Sequence, residues 1–343
     1  MKEWYLGSEQ LEVVKRYVYL GFTSITAMST TQSSKQLALK GKKTAFDMVL
    51  AMNKLEVATK DIFKLFNSQI QPSSLYASEV WGLLVTDDHV EKVHTYAGKR
   101  FLNVSLRMPN NFVFGELGRF PLVVNCCIRV IRYWFRLLKM DNSRLPYQAY
   151  KMLCTLDENG KKNWVTAVRQ TLFRLGYGCA WLNQGVALEQ HFIAQLKQRF
   201  IDVYSQEWLA NLRGSTRFDM YILFKTSIKY ETYLVFVRVK CFRDALIRLT
   251  LGITELKTHK NIHISQVADN NCPFCKVVEE NEYHFLFHCE KYETVRPENV
   301  KHIKRHEENL TFSKIMLCEE PASTKQLAWF VFKAFEIRTK LLE

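Results

Sequence analysis

Four residues toward the C-terminal end of the chain have the types and the spacing of a zinc site. Cys272 and Cys275 are followed by His284 and Cys289, in the pattern C-x2-C-x8-H-x4-C. Thiolate and imidazole bind Zn²⁺ well, and four protein ligands leave the ion no open position. We therefore expect a structural Zn²⁺ at this site. His288 is the alternative to His284, and free thiols without metal are the alternative to a metal site.

The other six of the nine cysteines are expected to be small buried apolar residues. They are Cys126, Cys127, Cys154, Cys179, Cys241 and Cys318. An odd number of cysteines and the absence of a cleavable apolar leader favour a reducing, intracellular location, in the nucleus or the cytoplasm. No apolar run has the length of a membrane span, so we expect no membrane partner.

Positive charge is concentrated in the middle of the chain. The sequence has 48 Lys+Arg against 34 Asp+Glu, a formal net charge of +14. Residues 99–174 contain fourteen basic and four acidic residues, whereas residues 215–310 contain fifteen and thirteen. Such a surplus points to an anionic partner, most commonly RNA or DNA. A basic surface kept for solubility is the alternative.

Residues 122–140 give the clearest helical pattern in the chain, and their basic residues recur three or four apart on one face. This face is interpreted either as a solvated face opposite the core or as a phosphate-contacting face. Tyr133 and Trp134 are expected to be available for base stacking. The predicted nucleic-acid-binding residues are Lys99, Arg100, Arg129, Arg132, Arg136 and Lys139.

A catalytic site is not expected. Paired aspartates bind Mg²⁺ in polymerases, but Asp87 and Asp88 directly precede a predicted helix, whose N-terminal turn attracts acids through its dipole. We interpret this pair as structural. The sequence contains no P-loop, dinucleotide-binding, nucleophile-elbow or HExxH motif. The chain on its own is therefore expected not to be an enzyme.

Helices are expected to position these residues, because glycine and proline are sparse at 13 and 7. The predicted fold class is mainly α: a helical bundle-like body with a short N-terminal β element and a small CCHC zinc knuckle. Residues 23–34 and 142–162 are expected to be a loop and a linker, and Pro72 is expected to end a helix. The β element is predicted at residues 11–22, and helices at residues 36–52, 60–70, 90–106, 122–140, 162–175, 187–212, 221–251 (with a short break) and 322–341.

Several stretches, in matching order over residues 11–300, resemble the C-terminal region of reverse transcriptases from non-LTR (LINE-type) retrotransposons. The stretches before the knuckle are Leu11-Glu-Val-Val, Tyr19-Leu-Gly-Phe, Leu75-Tyr-Ala-Ser-Glu-Val-Trp-Gly, Val90-Glu-Lys-Val-His, Phe114-Gly-Glu-Leu-Gly-Arg-Phe-Pro, Tyr221-Ile-Leu-Phe-Lys and Tyr230-Glu-Thr-Tyr-Leu. The knuckle itself, with Tyr292 and Arg296 after it, completes the resemblance.

The resemblance implies a thumb-like segment at residues 1–82, a basic helical linker at 83–214, and a helical C-terminal domain at 215–343 with the knuckle at 272–289. It also implies that the CCHC site helps to hold RNA or target DNA. Asn270-Asn271 stands where the family usually has an arginine before the first cysteine. The family's fingers, its palm with the Y/F-x-D-D aspartates and its endonuclease have no counterpart in these 343 residues.

We therefore expect an RNA- or DNA-binding portion of such a reverse transcriptase, with a full-length retrotransposon protein as a further candidate partner. The alternative is a zinc-stapled helical scaffold for protein–protein interaction. An active polymerase would require the palm from another chain.

Overall fold

The computed structural model describes residues 4–12, 14–19, 22–25, 31–55, 59–84, 89–185, 191–214, 219–260, 269–276, 278–301 and 308–343. The chain opens with two antiparallel hairpins. Strand β1 (Trp4–Leu6) pairs with β2 (Glu9–Leu11), and β3 (Arg16–Tyr19) pairs with β4 (Phe22–Ile25). Gly7 has φ +63° in the first turn, a conformation that glycine adopts without steric cost. The predicted N-terminal β element is therefore present, although as two hairpins.

The rest of the described chain is mostly helical, and this confirms the predicted mainly α fold class. The first helices are α1 (Thr31–Leu55), α2 (Thr59–Leu65), α3 (Gln71–Ser74), α4 (Ser78–Trp81), α5 (His89–Phe101), α6 (Asn110–Glu116), α7 (Leu122–Leu138), α8 (Leu145–Glu158) and α9 (Trp164–Arg174). The remaining α-helices are α10 (Gly178–Leu182), α11 (Phe192–Arg213), α12 (Asp219–Ile222), α13 (Tyr233–Phe236), α14 (Lys240–Thr250), α15 (Lys257–Lys260), α16 (Glu308–Met316) and α17 (Pro321–Leu342). Tighter or wider helical turns cover Phe66–Ile70, His284–His288, Glu290–Val295 and Glu298–Val300.

The described residues form two compact units, each assembled from separate stretches of chain. Unit 1 takes its residues from 1–48, 65–96 and 121–203. Unit 2 takes its residues from 49–64, 97–120 and 204–343. The division into domains at residues 82 and 214 stays a prediction. None of the helices described is long and apolar enough to cross a membrane.

The core of unit 1 is organised around α7. The indole of Trp134 is fully buried, stacks on Trp181 with ring centroids 5.6 Å apart, and donates to the hydroxyl of Tyr150 on α8. Tyr150 in turn donates to Gln184 at 2.7 Å. Trp134 is therefore a core residue, and the expectation that it is available for base stacking is wrong. Tyr133 is half-buried and packs edge-on against Trp164.

Unit 2 contains a ring cluster and, apart from it, a buried polar network. Phe285 lies 4.7 Å from Phe335 and 5.1 Å from Tyr292, measured between ring centroids.

The buried polar network of unit 2 is centred on Glu116. Its carboxylate is fully buried and accepts hydrogen bonds from the hydroxyls of Tyr221 and Tyr233. Burial raises the pKa of Glu116, because it penalises the charged carboxylate.

A buried ion pair between Lys225 and Glu231 lies beside this network, since the backbone N–H of Glu231 donates to the carbonyl of Glu116. Lys225 is 1% exposed, so its ammonium depends on the partners that the protein supplies. Three stretches that carry the family resemblance, at residues 114–121, 221–225 and 230–234, therefore meet in one buried polar cluster.

Three sequence-based expectations about chain breaks are wrong. Residues 142–162 are largely the helix α8, because Pro146 stands in its first turn, where the missing N–H is tolerated, and Tyr150 anchors it to the core. Pro72 likewise stands in the first turn of α3 and continues the helical path from Phe66–Ile70. Residues 23–34 include part of β4 and the start of α1, so they are not one loop.

Candidate metal centre and basic surface

Cys272, Cys275, His284 and Cys289 converge in unit 2, with one potential ligand atom from each lying within 4.8 Å of the others. The Cys289 Sγ lies 4.0 Å from the Cys272 Sγ and 3.9 Å from the Cys275 Sγ, and the Cys275 Sγ lies 3.5 Å from the His284 Nε2. Tetrahedral Zn²⁺ with its usual bond lengths requires separations of about 3.8 Å between sulfurs and about 3.5 Å between sulfur and nitrogen. The four residues fit a metal ion of this size.

A tight turn presents the first two sulfurs. The backbone N–H of Cys272 donates to the carbonyl of Val278 at 2.7 Å, and that of Lys276 donates to the carbonyl of Cys272 at 2.8 Å. Lys276 has φ +57°, which turns the chain back directly after Cys275. An isolated antiparallel bridge between Asn271 and Glu279 closes the base of this turn.

The other two ligands lie at the ends of a wide helical turn, His284–His288. The N–H of Cys289 donates to the carbonyl of His284 at 2.8 Å, which brings the last thiol back over the imidazole. Wide turns of this type are rare and occur often at functional sites. His284 is 4% exposed, whereas the side chain of His288 is exposed and lies outside the cluster, so the geometry selects His284 as the histidine.

Burial shapes the chemistry of the cluster. It lowers the pKa of His284, with a further contribution from the nearby His288, and so favours the neutral imidazole that binds metals. Burial raises the pKa values of Cys275 and Cys289, because their thiolates lose hydration without an opposing charge. A cation between the sulfurs would supply that opposing charge.

Arg296, which follows the ligands, holds their backbone in place. Its guanidinium donates to the carbonyl of Leu286 at 2.8 Å and to the carbonyl of Cys289 at 2.7 Å, and it also binds the carboxylate of Glu293. The side chain is 2% exposed, so these bonds are shielded from water. Arg296 is therefore the outer support of the fourth ligand.

Two acidic residues between the ligands anchor the same segment to helices of unit 2. The buried carboxylate of Glu280 is bound by Arg338 of α17 and accepts the backbone N–H of Lys257 at 3.0 Å. The carboxylate of Glu282 lies 2.8 Å from the Nε2 of His259 in α15. Sequence reasoning missed these anchors, since only the run of acids before His284 signals them and their partners lie more than twenty residues away.

The Nδ1 of His284 is buried and has no hydrogen-bond partner among the residues that the structure describes. Histidine ligands usually donate the second ring N–H to an acceptor, which fixes the ring. In this site the ring is positioned instead by its backbone, whose N–H donates to the Asn281 Oδ1 at 2.9 Å, and by tight packing.

The remaining cysteines differ in burial. Cys126, Cys127 and Cys318 are buried, and burial raises the pKa of each of their thiols to about 12. Cys154 is half-buried. Cys179 and Cys241 are exposed, so the expectation that all six are buried is wrong for these two.

The predicted nucleic-acid-binding residues are distributed over both units. Lys99 and Arg100 belong to unit 2, and the four residues from Arg129 to Lys139 belong to unit 1. Lys99 is 9% exposed, donates its ammonium to the carbonyl of Leu106 at 3.0 Å, and has a pKa lowered by burial. Its ammonium is therefore engaged inside the fold. The side chain of Arg100 is exposed.

Arg129 also has a structural partner. It is half-buried, and its guanidinium donates to the carbonyl of Leu75 at 2.9 Å. Arg132, Arg136 and Lys139 are exposed, and in the described part of the chain none of them has a side-chain hydrogen bond or an ion pair. These three cations form a row on α7 and just beyond it.

Unit 1 contains further exposed cations close in sequence to this row. We define the α7–α9 basic surface as the exposed basic residues between positions 122 and 174, namely Arg132, Arg136, Lys139, Arg144, Lys151, Lys161, Lys162 and Arg174. The exposed acidic residues in the same range are Asp141 and Glu158. Asp157, the other acid of this range, is bound by Arg169. Asp87 and Asp88 lie outside the described residues.

No protein-family model, curated protein or solved structure matches this chain.

Proposed function

We propose that the chain is a nucleic-acid-binding protein without catalytic function of its own, the C-terminal portion of a LINE-type reverse transcriptase, held together in unit 2 by a structural Zn²⁺. The observation that carries the binding proposal is the α7–α9 basic surface. Its range of the chain contains eight exposed cations and only two exposed carboxylates. Phosphate contacts by lysine and arginine provide most of the affinity of non-specific nucleic-acid binding.

The arrangement of this surface favours contact with a phosphate backbone. Arg132 and Arg136 stand four residues apart on α7, about 6 Å along the helix axis. Arg136 and Lys139 continue the same face. Because Trp134 and Trp164 are buried, phosphate contact is the expected mode of binding, and base stacking on these two rings is not expected.

The Zn²⁺ in this proposal is structural. Four protein ligands would fill its coordination sphere, and Arg296 holds the backbone of the ligand segment in place. Glu280 and Glu282 join that segment to α17 and α15 of unit 2. The Zn²⁺ ion would neutralise the buried thiolates and cross-link the chain. A contact between the knuckle and the nucleic acid is a secondary part of the proposal, and it is supported by the family resemblance.

Salt dependence of RNA binding tests the basic surface. Filter binding of the zinc-loaded chain to single-stranded RNA is expected to weaken steeply between 50 and 200 mM salt. The variant Arg132→Ala/Arg136→Ala/Lys139→Ala should flatten the slope of log K against log salt by up to about 2, since each lost phosphate contact on a single strand removes about 0.7.

A variant with the same change in net charge provides the control. Lys35→Ala/Lys40→Ala/Lys43→Ala removes three exposed cations from α1 and should leave the slope nearly unchanged. An equal loss of slope in both variants would show that net charge alone controls binding. Undetectable binding of the wild type at low salt would refute the proposed function.

A protein-interaction scaffold is the second candidate, and one observation favours it. Leu145 and Met152 stand seven residues apart on α8 and are 83% and 59% exposed. Exposed apolar side chains on one helix face are typical of protein contact sites. Binding to a protein through this face should survive high salt and should be lost in Leu145→Glu/Met152→Glu, whereas RNA binding should depend on salt and survive that change.

A further inference from the structure

Helices α14 and α17 of unit 2 line an open cavity of about 580 Å³ whose lining includes none of the metal ligands. Its size lies within the range of small-molecule binding sites. The lining combines apolar side chains, here called the floor, with charged side chains, here called the rim. This combination suits a ligand with one flat apolar part and one charged part.

The floor of the cavity consists of rings that neighbouring residues hold in place. Phe332 and Phe335 of α17 supply it, together with Ile253, which follows α14. Phe335 stacks on Phe285 at an interplanar angle of 22°, and Phe332 lies 5.2 Å from Phe242 between centroids. Rings fixed in this way form a platform on which a planar heterocycle can stack at little cost in side-chain entropy.

The carboxylates of the rim are mostly neutralised by lysines that do not line the cavity. Each of three has an ammonium within 3 Å: Asp244 with Lys240, Glu255 with Lys260, and Glu336 with Lys333. The cations that line the cavity, Arg248 and Lys340, are exposed and have no side-chain hydrogen bond or ion pair within the described ranges. Glu343 is the fourth carboxylate of the lining, so the lining has four carboxylates against two cations. With the three lysines that pair with these carboxylates, the count becomes five cations against four carboxylates.

We propose that this cavity binds a nucleoside monophosphate. The base stacks on Phe332 and Phe335, and Arg248 and Lys340 bind the phosphate, for which the arginine fork is well suited. The rim carboxylates keep free lone pairs that accept hydrogen bonds from the ribose hydroxyls, as acidic residues do in dinucleotide sites. Nucleotide binding at this cavity does not depend on the α7–α9 basic surface, so either proposal can fail without the other.

An exposed cysteine at the rim provides a direct test. Cys241 lines the cavity, whereas the other exposed cysteine, Cys179, belongs to unit 1. The zinc-loaded full chain is alkylated with iodoacetamide, and the rate at each thiol is followed by peptide mass spectrometry. Saturating adenosine monophosphate should slow the alkylation of Cys241 at least about threefold, because a bound ligand covers the thiol. The alkylation of Cys179 should not change.

A double variant and a matched control test whether Arg248 and Lys340 bind the phosphate group. Arg248→Gln/Lys340→Gln should weaken binding of adenosine monophosphate in calorimetry about tenfold or more, the effect of losing charge-assisted hydrogen bonds. The control Lys291→Gln/Lys314→Gln removes two exposed cations of unit 2 that do not line the cavity, and it should bind like the wild type.

Adenosine and inorganic phosphate, tested separately, show whether the cavity recognises both the nucleoside and the phosphate of the ligand. Adenosine and inorganic phosphate should each protect Cys241 less than adenosine monophosphate does at the same concentration. Protection by inorganic phosphate equal to that by the nucleotide would overturn the proposal, because the rings would then play no part. Absence of protection and of heat at millimolar nucleotide would overturn it as well, whatever the chain does with RNA.

Discussion

Arg338 binds both carboxylate oxygens of Glu280, with Nε 3.0 Å from Oε1 and Nη2 2.8 Å from Oε2. Both side chains are buried, at 8% and 2% exposed, and they stand 58 residues apart in sequence. The pair joins the segment between the metal ligands to the last long helix of the chain. It therefore couples the stability of the metal site to the docking of α17.

Removing one partner of this pair should be costly. Arg338→Met leaves the carboxylate of Glu280 buried without its cation, so the free energy of unfolding should fall by about 3–5 kcal/mol. Urea unfolding of the zinc-loaded protein, followed by circular dichroism, measures this change. Lys64→Met, which removes an exposed pair with Asp61, is the control and should unfold almost like the wild type. A similar loss in both variants would contradict a special role for Arg338.

Metal stoichiometry should follow the four ligands. The purified chain is expected to contain one Zn²⁺, measured by elemental analysis, and Cys272→Ser or His284→Ala should lose it. Cys179→Ser and His288→Ala change exposed residues outside the cluster and should retain it. A folded wild type without metal would refute the site, and loss of zinc in His288→Ala would reverse the choice between the two histidines.

Arg296 should control how tightly the metal is held. Arg296→Lys keeps a positive charge but cannot reproduce the fork that binds the carbonyls of Leu286 and Cys289. Zinc affinity, measured in competition with a chelating dye, should fall about 10- to 100-fold, the usual effect of removing an outer support of a metal ligand. The exposed neighbour Lys291→Ala should keep the affinity of the wild type.

Asp157 should contribute to stability at neutral pH and lose that contribution in acid. Hydrogen bonding to Arg169 lowers its pKa, so the stability that this bond contributes is present above the unfolded-state pKa, near 4. This stability is lost as the pH falls through the lower folded-state pKa. Urea unfolding should therefore separate Asp157→Asn from the wild type at pH 7 and less so near pH 2. Glu158→Gln, at the exposed neighbouring position, should show no such dependence.

The metal residues could be predicted because their signal is local. Two cysteines at close spacing and a histidine before the last cysteine specify the ligand set almost without reference to the fold. The helix with the clearest sequence pattern could be predicted as well, since α7 keeps apolar and basic residues on separate faces through Leu122–Leu138.

Tertiary context decided the features that sequence reasoning missed. Pro72 looks like the end of a helix, but it stands in the first turn of α3, where proline is tolerated. Lys99 and Trp134 have residue types suited to binding nucleic acid, yet each is used inside the fold. The partners of Glu280 and Glu116 lie far away in sequence, so spacing gives no indication of either cluster.

The buried cluster around Glu116 has a consequence for the order in which the protein folds during synthesis. Glu116 leaves the ribosome about a hundred residues before Tyr221 and Tyr233, the hydroxyls that satisfy its carboxylate. The intervening residues 121–203 belong to unit 1 and emerge as one uninterrupted block. The last helices of unit 1 can therefore fold before Tyr221 and Tyr233, the partners of Glu116 in α6, have been synthesised. Unit 2 can close only after the C-terminal third of the chain has been made.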